Sequence, residues 1–138
     1  MQKKVIIDSG PLVAIFNKDD SYHKQAIVFF KNFNGKLFTN LSVITEVFYL
    51  LDYSVRDQLN FIKWIKDGAV TIIDLIQHDY ERLVELIDKY SDLPIDLADA
   101  SLISISERLK IYDVATIDSE FYIYRMKNKK FFTNVFLS

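Results

Sequence analysis

The sequence predicts an α/β protein, with a central, mainly parallel sheet of four to five strands covered by helices on both faces. Three observations carry this expectation. Short apolar runs alternate with helix-period segments along the whole chain, the order that feeds a parallel sheet. The runs are continuous in hydrophobicity, as strands buried on both faces are. Half of the 138 residues are hydrophobic and only three are glycine and two proline, which leaves ample core and little linker. The length is that of one domain, residues 1–138.

Each element has a local signature. Residues 3–7, KKVII, read as a buried first strand, and Asp8-Ser9-Gly10-Pro11 breaks it and begins a helix through Phe16. Asp19-Asp20-Ser21 is a turn and N-cap signal for a helix over 22–33, which Asn34-Gly35 ends. Residues 36–39 form a short second strand. Ser42 is placed to cap a helix through Leu51, on which Ser42, Thr45, Glu46, Tyr49 and Asp52 make one polar stripe. Ser54 begins a helix through Lys66, stopped by Asp67-Gly68, with Phe61, Trp64 and Ile65 as core. Residues 69–74 form a third strand, and Asp74 is a turn residue at its end. Residues 79–90 are amphipathic, with Leu83, Leu86, Ile87 and Tyr90 on one face.

The stretch 93–118, LPIDLADASLISISERLKIYDVATID, reads as a helix followed by a strand. Pro94 suits a first helical turn, where its missing N–H costs little. Leu97, Leu102, Ile105 and Leu109 recur at helical spacing, and Lys110 suits the last turn. Residues 112–117 form a buried fourth strand closed by Asp118. Residues 122–132 mix Arg125, Lys127, Lys129 and Lys130 with aromatics and read as a solvated surface with a buried aromatic edge. Residues 134–137 form a fifth strand.

Composition excludes several kinds of chemistry. The absence of cysteine rules out disulfides, thiolate catalysis and zinc–thiolate sites. Two isolated histidines, His23 and His78, do not make a His-rich metal site, and His23 and Lys24 read as surface residues. No apolar run reaches the roughly 18 residues of a membrane span, and MQKKVIID is too short an apolar run for a signal peptide. A cytoplasmic protein without membrane contact is expected. The net charge of −2 does not advertise general nucleic-acid binding.

The acids are placed unevenly. Asp8 follows the first strand, Glu46 lies on the helix after the second, Asp99 lies near the start of the helix before the fourth, and Asp118 follows the fourth. A helix that precedes a parallel strand runs antiparallel to it, so its start lies at the strand's carboxyl end, where ligands bind in such sheets. All four acids can meet at one edge. Ser101, Ser104 and Arg108 form a polar stripe, and Asp99 lies opposite it, on the apolar side of its helix. Asp96, one turn earlier, can approach the same point, yet Asp96-x-x-Asp99 also matches a capping arrangement. Asp8 can cap its own helix, and Glu46 can face solvent or a cleft.

Gathered without a cation, these carboxylates would raise one another's pKa values and cost stability. Mg²⁺ or Mn²⁺ would turn them into oxygen ligands of a hard ion. Carboxylates with no nucleophilic Ser or Cys and no suitable His suit metal-assisted hydrolysis of a phosphodiester, with one ion or with two about 3.5–4 Å apart.

In their order and spacing, VIIDSGPLVAIF, TNLSVITEVFYLL, LPIDLADASLI and VATIDSEF resemble the PIN-domain family, and within it the VapC-type toxin ribonucleases of toxin–antitoxin pairs. The resemblance spans nearly the whole chain. It implies a PIN-like three-layer α/β/α sandwich, RNA cleavage with Mg²⁺ or Mn²⁺, a cognate antitoxin and a homodimer. Carried over residue by residue, it makes Asp8, Glu46, Asp99 and Asp118 the catalytic and metal-binding acids. Asp8 and Asp99 are then the principal ligands, while Asp96 either joins the metal site or only caps its helix. Thr116 matches a small hydroxyl residue beside the fourth acid, holding a carboxylate in place.

Three other readings stand beside this one. A non-hydrolytic, receiver-like signalling module would place acids after strands one and three, here Asp8 and Asp74, but it wants adjacent acids after strand one and a lysine after the last strand. A haloacid-dehalogenase-like phosphatase would want Asp-x-Asp where Gly10 stands. The remaining alternative keeps the PIN fold as an inactive binding module.

Overall fold

The computed structural model describes residues 2–93, 95–122, 124 and 132–137. In chain order it contains β1 (Lys3–Ile7), α1 (Ser9–Phe16), α2 (His23–Asn32), β2 (Gly35–Thr39), α3 (Leu41–Leu50) and α4 (Val55–Lys66). There follow β3 (Thr71–Ile72), α5 (Asp79–Lys89), α6 (Leu97–Leu109), β4 (Asp113–Ala115), a 3-10 turn at Ser119–Tyr122 and β5 (Thr133–Asn134). The five strands form one sheet in the order β3-β2-β1-β4-β5, and every pairing is parallel. The expected α/β architecture is therefore present.

β1 is central because its sequence tolerates burial on both faces. Val5, Ile6 and Ile7 are fully buried, with Ile6 in register with Phe38 of β2 on one side and Val114 of β4 on the other. From β1 the chain builds outward to β2 and β3, then returns to the other side of β1 for β4 and β5. The strand order thus reverses between β1 and β4, and the crevice of such a sheet opens at that reversal.

α6 is the interior helix. Residues 98–106 are all buried, serines included. Ser101 and Ser104 of the polar stripe consequently face protein, while Arg108 beyond them is exposed. Ser101 accepts from Asn40 Nδ2 at 2.7 Å and donates to the Ala98 carbonyl at 2.7 Å. Ser104 donates to Asp79 at 3.0 Å, and Arg108 reaches Asp79 at 3.0 Å and the Asp74 carbonyl at 2.7 Å. Small hydroxyls let α6 pack closely while each polar group keeps a partner.

Several boundaries differ from the sequence expectation, each for a tertiary reason. α3 is capped by Asn40, whose side chain accepts from the Val43 N–H, and not by Ser42. α6 starts at Leu97 behind an Asp96 cap, later than a helix entered through Pro94, which lies outside the described residues. β3 and β5 pair on one side only and hold two residues each, against the six and four expected. Ile87 is 49% exposed while Leu83, Leu86 and Tyr90 are buried, so the apolar stripe of α5 is narrower than its sequence. His23 is half-buried, its Nδ1 2.7 Å from the Ala14 carbonyl oxygen. The basic–aromatic run 125–131 lies outside the described residues.

Two ion pairs tie α5 to α6: Arg82 donates to both Glu107 oxygens at 2.7 and 3.0 Å, and Asp79 accepts from Arg108. Of the two acids, Asp79 is the more deeply buried. Burial pushes its carboxyl up, but hydrogen bonds from the Ile76 N–H, Ser104 and Arg108 outweigh burial and hold it below the usual value. Its stabilisation is therefore present above the unfolded-state value and is lost as pH falls through the folded one. Asp79→Ala leaves the buried Ser104 hydroxyl without its acceptor and removes the Arg108 ion pair, and is expected to cost about 1–3 kcal/mol in urea unfolding at pH 7, with the gap to wild type shrinking in acid.

Candidate active site

The site forms where β1 and β4 end. Asp8 follows β1, and its N–H donates to the Ala115 carbonyl at 2.9 Å, which carries the ladder one residue past the strand. It occupies the N-cap position of α1 but makes no side-chain cap. Its carboxylate instead accepts from Thr116 Oγ1 at 2.8 Å. Thr116 Oγ1 in turn accepts from the Asp118 N–H at 3.0 Å. One hydroxyl, 0% exposed, thus ties the acid after β1 to the turn bearing the acid after β4. Ile117 closes this junction: a Cβ on Gly10 would lie 3.0 Å from the Ile117 Cβ, so any larger residue there would have to push the Ile117 side chain back by a few tenths of an ångström.

Asp99 enters from α6. Asp96 caps the helix by accepting from the Asp99 N–H at 2.7 Å, which fixes the first turn and aims Asp99 inward. Asp99 is 5% exposed and Asp8 is 4% exposed. One carboxylate oxygen from each of Asp8, Asp99 and Asp118 can be chosen so that all lie within 4.8 Å of one another.

The fourth acid stands beside this trio. Glu46, half-buried on α3, accepts from Ser9 Oγ at 2.7 Å. It acts on Asp8 through its charge. Asp96 is exposed, and its carboxylate serves the helix cap. Of the five acids singled out in the sequence, three converge, one flanks them and one caps.

Electrostatics follow from burial. Asp8 is pushed up to about 6, first by burial, with the charges of Glu46 and Asp118 adding to it and hydrogen bonds from the Ser9 backbone and Thr116 opposing it. Asp99 is held well above the carboxylate range, first by burial, then by the charges of Asp8, Asp96 and Asp118. A hydrogen bond to Asp118, which only protonated Asp99 can donate, adds to this. Burial and the nearby Asp99 charge also push the Tyr124 phenol up, so it stays protonated and donates to Glu120 at 3.1 Å. The Glu120 N–H donates to Asp118 Oδ1 at 2.8 Å.

The donor set is entirely carboxylate oxygen, the kind hard divalent cations take, and its excess negative charge is what such an ion offsets. Asp8, Asp99 and Asp118 could hold an ion directly, with Glu46 at the rim. Asp74 cannot share in this: β3 is separated from β1 by β2. The acid pair of a receiver-like module is therefore not assembled.

Sequence reading missed Ser9, Asn40, Glu120, Tyr124 and Asn134. Ser9 and Glu120 carried a weak signal, standing one and two residues after an acid. Asn40 and Asn134 reach partners far away in sequence, Ser101 and the Thr116 carbonyl, to which no local pattern points, whereas Tyr124 bonds Glu120 only four residues before it.

The α/β fold thus gathers three carboxylates at the edge where its strand order reverses. This chain belongs to the PIN-domain family, whose model matches residues 5–126. It is 23% identical over 116 residues to Ribonuclease VapC26 of Mycobacterium tuberculosis, covering 83% of this chain and 86% of that protein. Among solved structures it is similar to M. tuberculosis VapC20, a sarcin–ricin loop cleaving toxin, with a TM-score of 0.77 at 15% identity over 84% of this chain and 91% of that one. It is also similar to VapBC2 of Rickettsia felis bound to a promoter DNA fragment, with a TM-score of 0.61 at 19% identity over 86% and 90%.

Acids raised in the fold bind protons that the unfolded chain releases, so the stability they contribute falls as pH rises from the unfolded value through about 6 for Asp8 and further for Asp99. In EDTA at pH 8, Asp99→Asn is expected to melt several degrees above wild type. The difference should close as pH falls towards 4, as thermal scans at a series of pH values would read.

Proposed function

We propose that this chain, one PIN-like domain over residues 1–138, is a Mg²⁺- or Mn²⁺-dependent endoribonuclease, the toxin of a cytoplasmic toxin–antitoxin pair. The observation that carries the reading is the approach of Asp8, Asp99 and Asp118 to within 4.8 Å in a PIN-domain chain. The names borne by the relatives, a VapC ribonuclease and a sarcin–ricin loop cleaving toxin, support RNA as the substrate. The VapBC2 assembly supports an antitoxin as partner. Leu41, Tyr80, Val84 and Leu97 expose apolar surface of the kind a partner or a second copy of the chain covers, in keeping with a homodimer. No helix among the described residues is long and apolar enough to cross a membrane.

In this reading Asp8 and Asp99 are the principal ligands, and Asp118 and Glu46 complete the pocket. Bound there, the ion supplies Lewis acidity towards a phosphodiester oxygen and towards water. The protein's own residues set the conditions. Thr116 directs its proton at Asp8 Oδ2 and keeps that carboxylate fixed. Ser9 does the same for Glu46 Oε1, holding it where it can orient an attacking water. Protons held on Asp8 and Asp99 must leave before an ion enters, so loading strengthens as pH rises through about 6. Asp96 fixes the α6 entry and adds negative charge without acting as a ligand.

The test is cleavage of RNA with Mg²⁺, with Mn²⁺ and with EDTA. Wild type should cut with either ion and stop in EDTA, and Asp8→Asn and Asp99→Asn should lose about 10²-fold or more while staying folded. Thr116→Val should lose about 10-fold, the effect of removing a hydrogen bond to a ligand. Cleavage that survives EDTA, or Asn variants as active as wild type, would overturn the reading.

A further inference from the structure

β5 ends in an unusual way, beside the turn that carries Asp118. In its parallel register with β4, the Thr133 N–H donates to the Tyr112 carbonyl at 3.0 Å and the Val135 N–H to the Val114 carbonyl at 2.8 Å. The next rung of such a ladder would run from the Leu137 N–H to the Thr116 carbonyl. That rung is not made. The Asn134 side chain occupies its place at both ends. Its Nδ2 donates to the Thr116 carbonyl at 3.0 Å, and its Oδ1 accepts from the Phe136 N–H at 2.9 Å and the Leu137 N–H at 3.4 Å. The amide thus stands in for a peptide unit and lets the chain turn away while the Thr116 carbonyl, one residue past β4, keeps a donor. Asn134 is 7% exposed, so water does not readily replace these bonds.

Thr116 is the residue whose hydroxyl joins Asp8 to the Asp118 N–H. Holding its carbonyl fixes the peptide plane from which Ile117 and Asp118 depart. On the opposite side Ile117 is pressed against Gly10. The turn bearing Asp118 is therefore gripped from both sides, by the start of α1 and by β5.

We infer that Asn134 is a positioning residue for the carboxylate site, setting the place of Asp118 relative to Asp8 by clamping the Thr116 carbonyl in the rung that β5 leaves open. The inference deepens the metal-nuclease reading and rests on it for its consequence, though not for its geometry. Asn134 touches neither ion nor substrate. Its effect passes through Thr116 and is read in the order of the turn and in affinity for the ion.

Asn134→Asp keeps the shape and replaces the donor with an oxygen facing the Thr116 carbonyl, and Asn134→Ala removes both halves of the clamp. Leu86→Val on α5 is a destabilised control away from the site. Two measurements separate the outcomes: amide hydrogen exchange at Ile117 and Asp118 in the metal-free protein, and Mn²⁺ affinity by calorimetry. Either Asn134 variant, whichever folds better, should speed exchange at Asp118 about tenfold beyond the change at α5 amides and weaken Mn²⁺ about tenfold. Exchange that rises only in step with global stability, as in Leu86→Val, assigns Asn134 a purely structural part and overturns the inference. So does faster exchange with unchanged Mn²⁺ affinity. Should wild type bind no Mn²⁺, the nuclease reading falls, and exchange at Asp118 alone decides the clamp.

Discussion

Bringing three carboxylates within 4.8 Å of one another, two of them nearly out of reach of water, is the constraint around which this protein is built. Like charges in that position repel, and burial deprives them of solvation. The fold answers with fixed donors. Thr116 gives its proton to Asp8, Asp96 anchors the turn that aims Asp99, and Ser9 steadies Glu46. None of these neutralises the cluster. Asp8 and Asp99 remain shifted upward, and the site is in tension unless protons or a cation relieve it.

The contrast with Asp79 makes the point within one molecule. Asp79 is as buried as Asp8, yet it is held below its ordinary value by Arg108, Ser104 and the Ile76 N–H. Its charge is fully answered by the protein, and it ties two helices together. Asp8 and Asp99 have no cationic partner among the described residues. Burial alone does not separate a structural acid from one poised for chemistry; the completeness of its partners does.

Much of this was legible in the sequence, for reasons that can be named. The fold class followed from alternating apolar runs and helical periods, which depend on near neighbours only. Ser54 and Asp96 were readable as caps because a cap bonds two or three residues ahead. The meeting of Asp8, Asp99 and Asp118 followed from topology: strand ends and the start of a helix share one edge. What failed depended on distant partners. Asn40 and Ser42 are both good caps two residues apart, and what favours Asn40 is that its amide meets Ser101 on α6. Glu46 stands beside the trio rather than within it because Ser9 holds it there, which a polar stripe on α3 does not encode. Strand lengths also fall short: β3 and β5, with one neighbour strand each, hold two residues, and β4, paired on both sides, holds three against the six expected over 112–117.

The order of the chain has a consequence for its synthesis. Asp8 is translated more than a hundred residues before Thr116 and Asp118, which complete its surroundings, and Asn134 follows later still. β1 likewise waits for β4 to close its second side. Such long-range pairings form only after the intervening chain is present. A nascent chain translated through α5 therefore carries Asp8 without the trio, and the carboxylate site assembles only once β4 and the turn after it have been made.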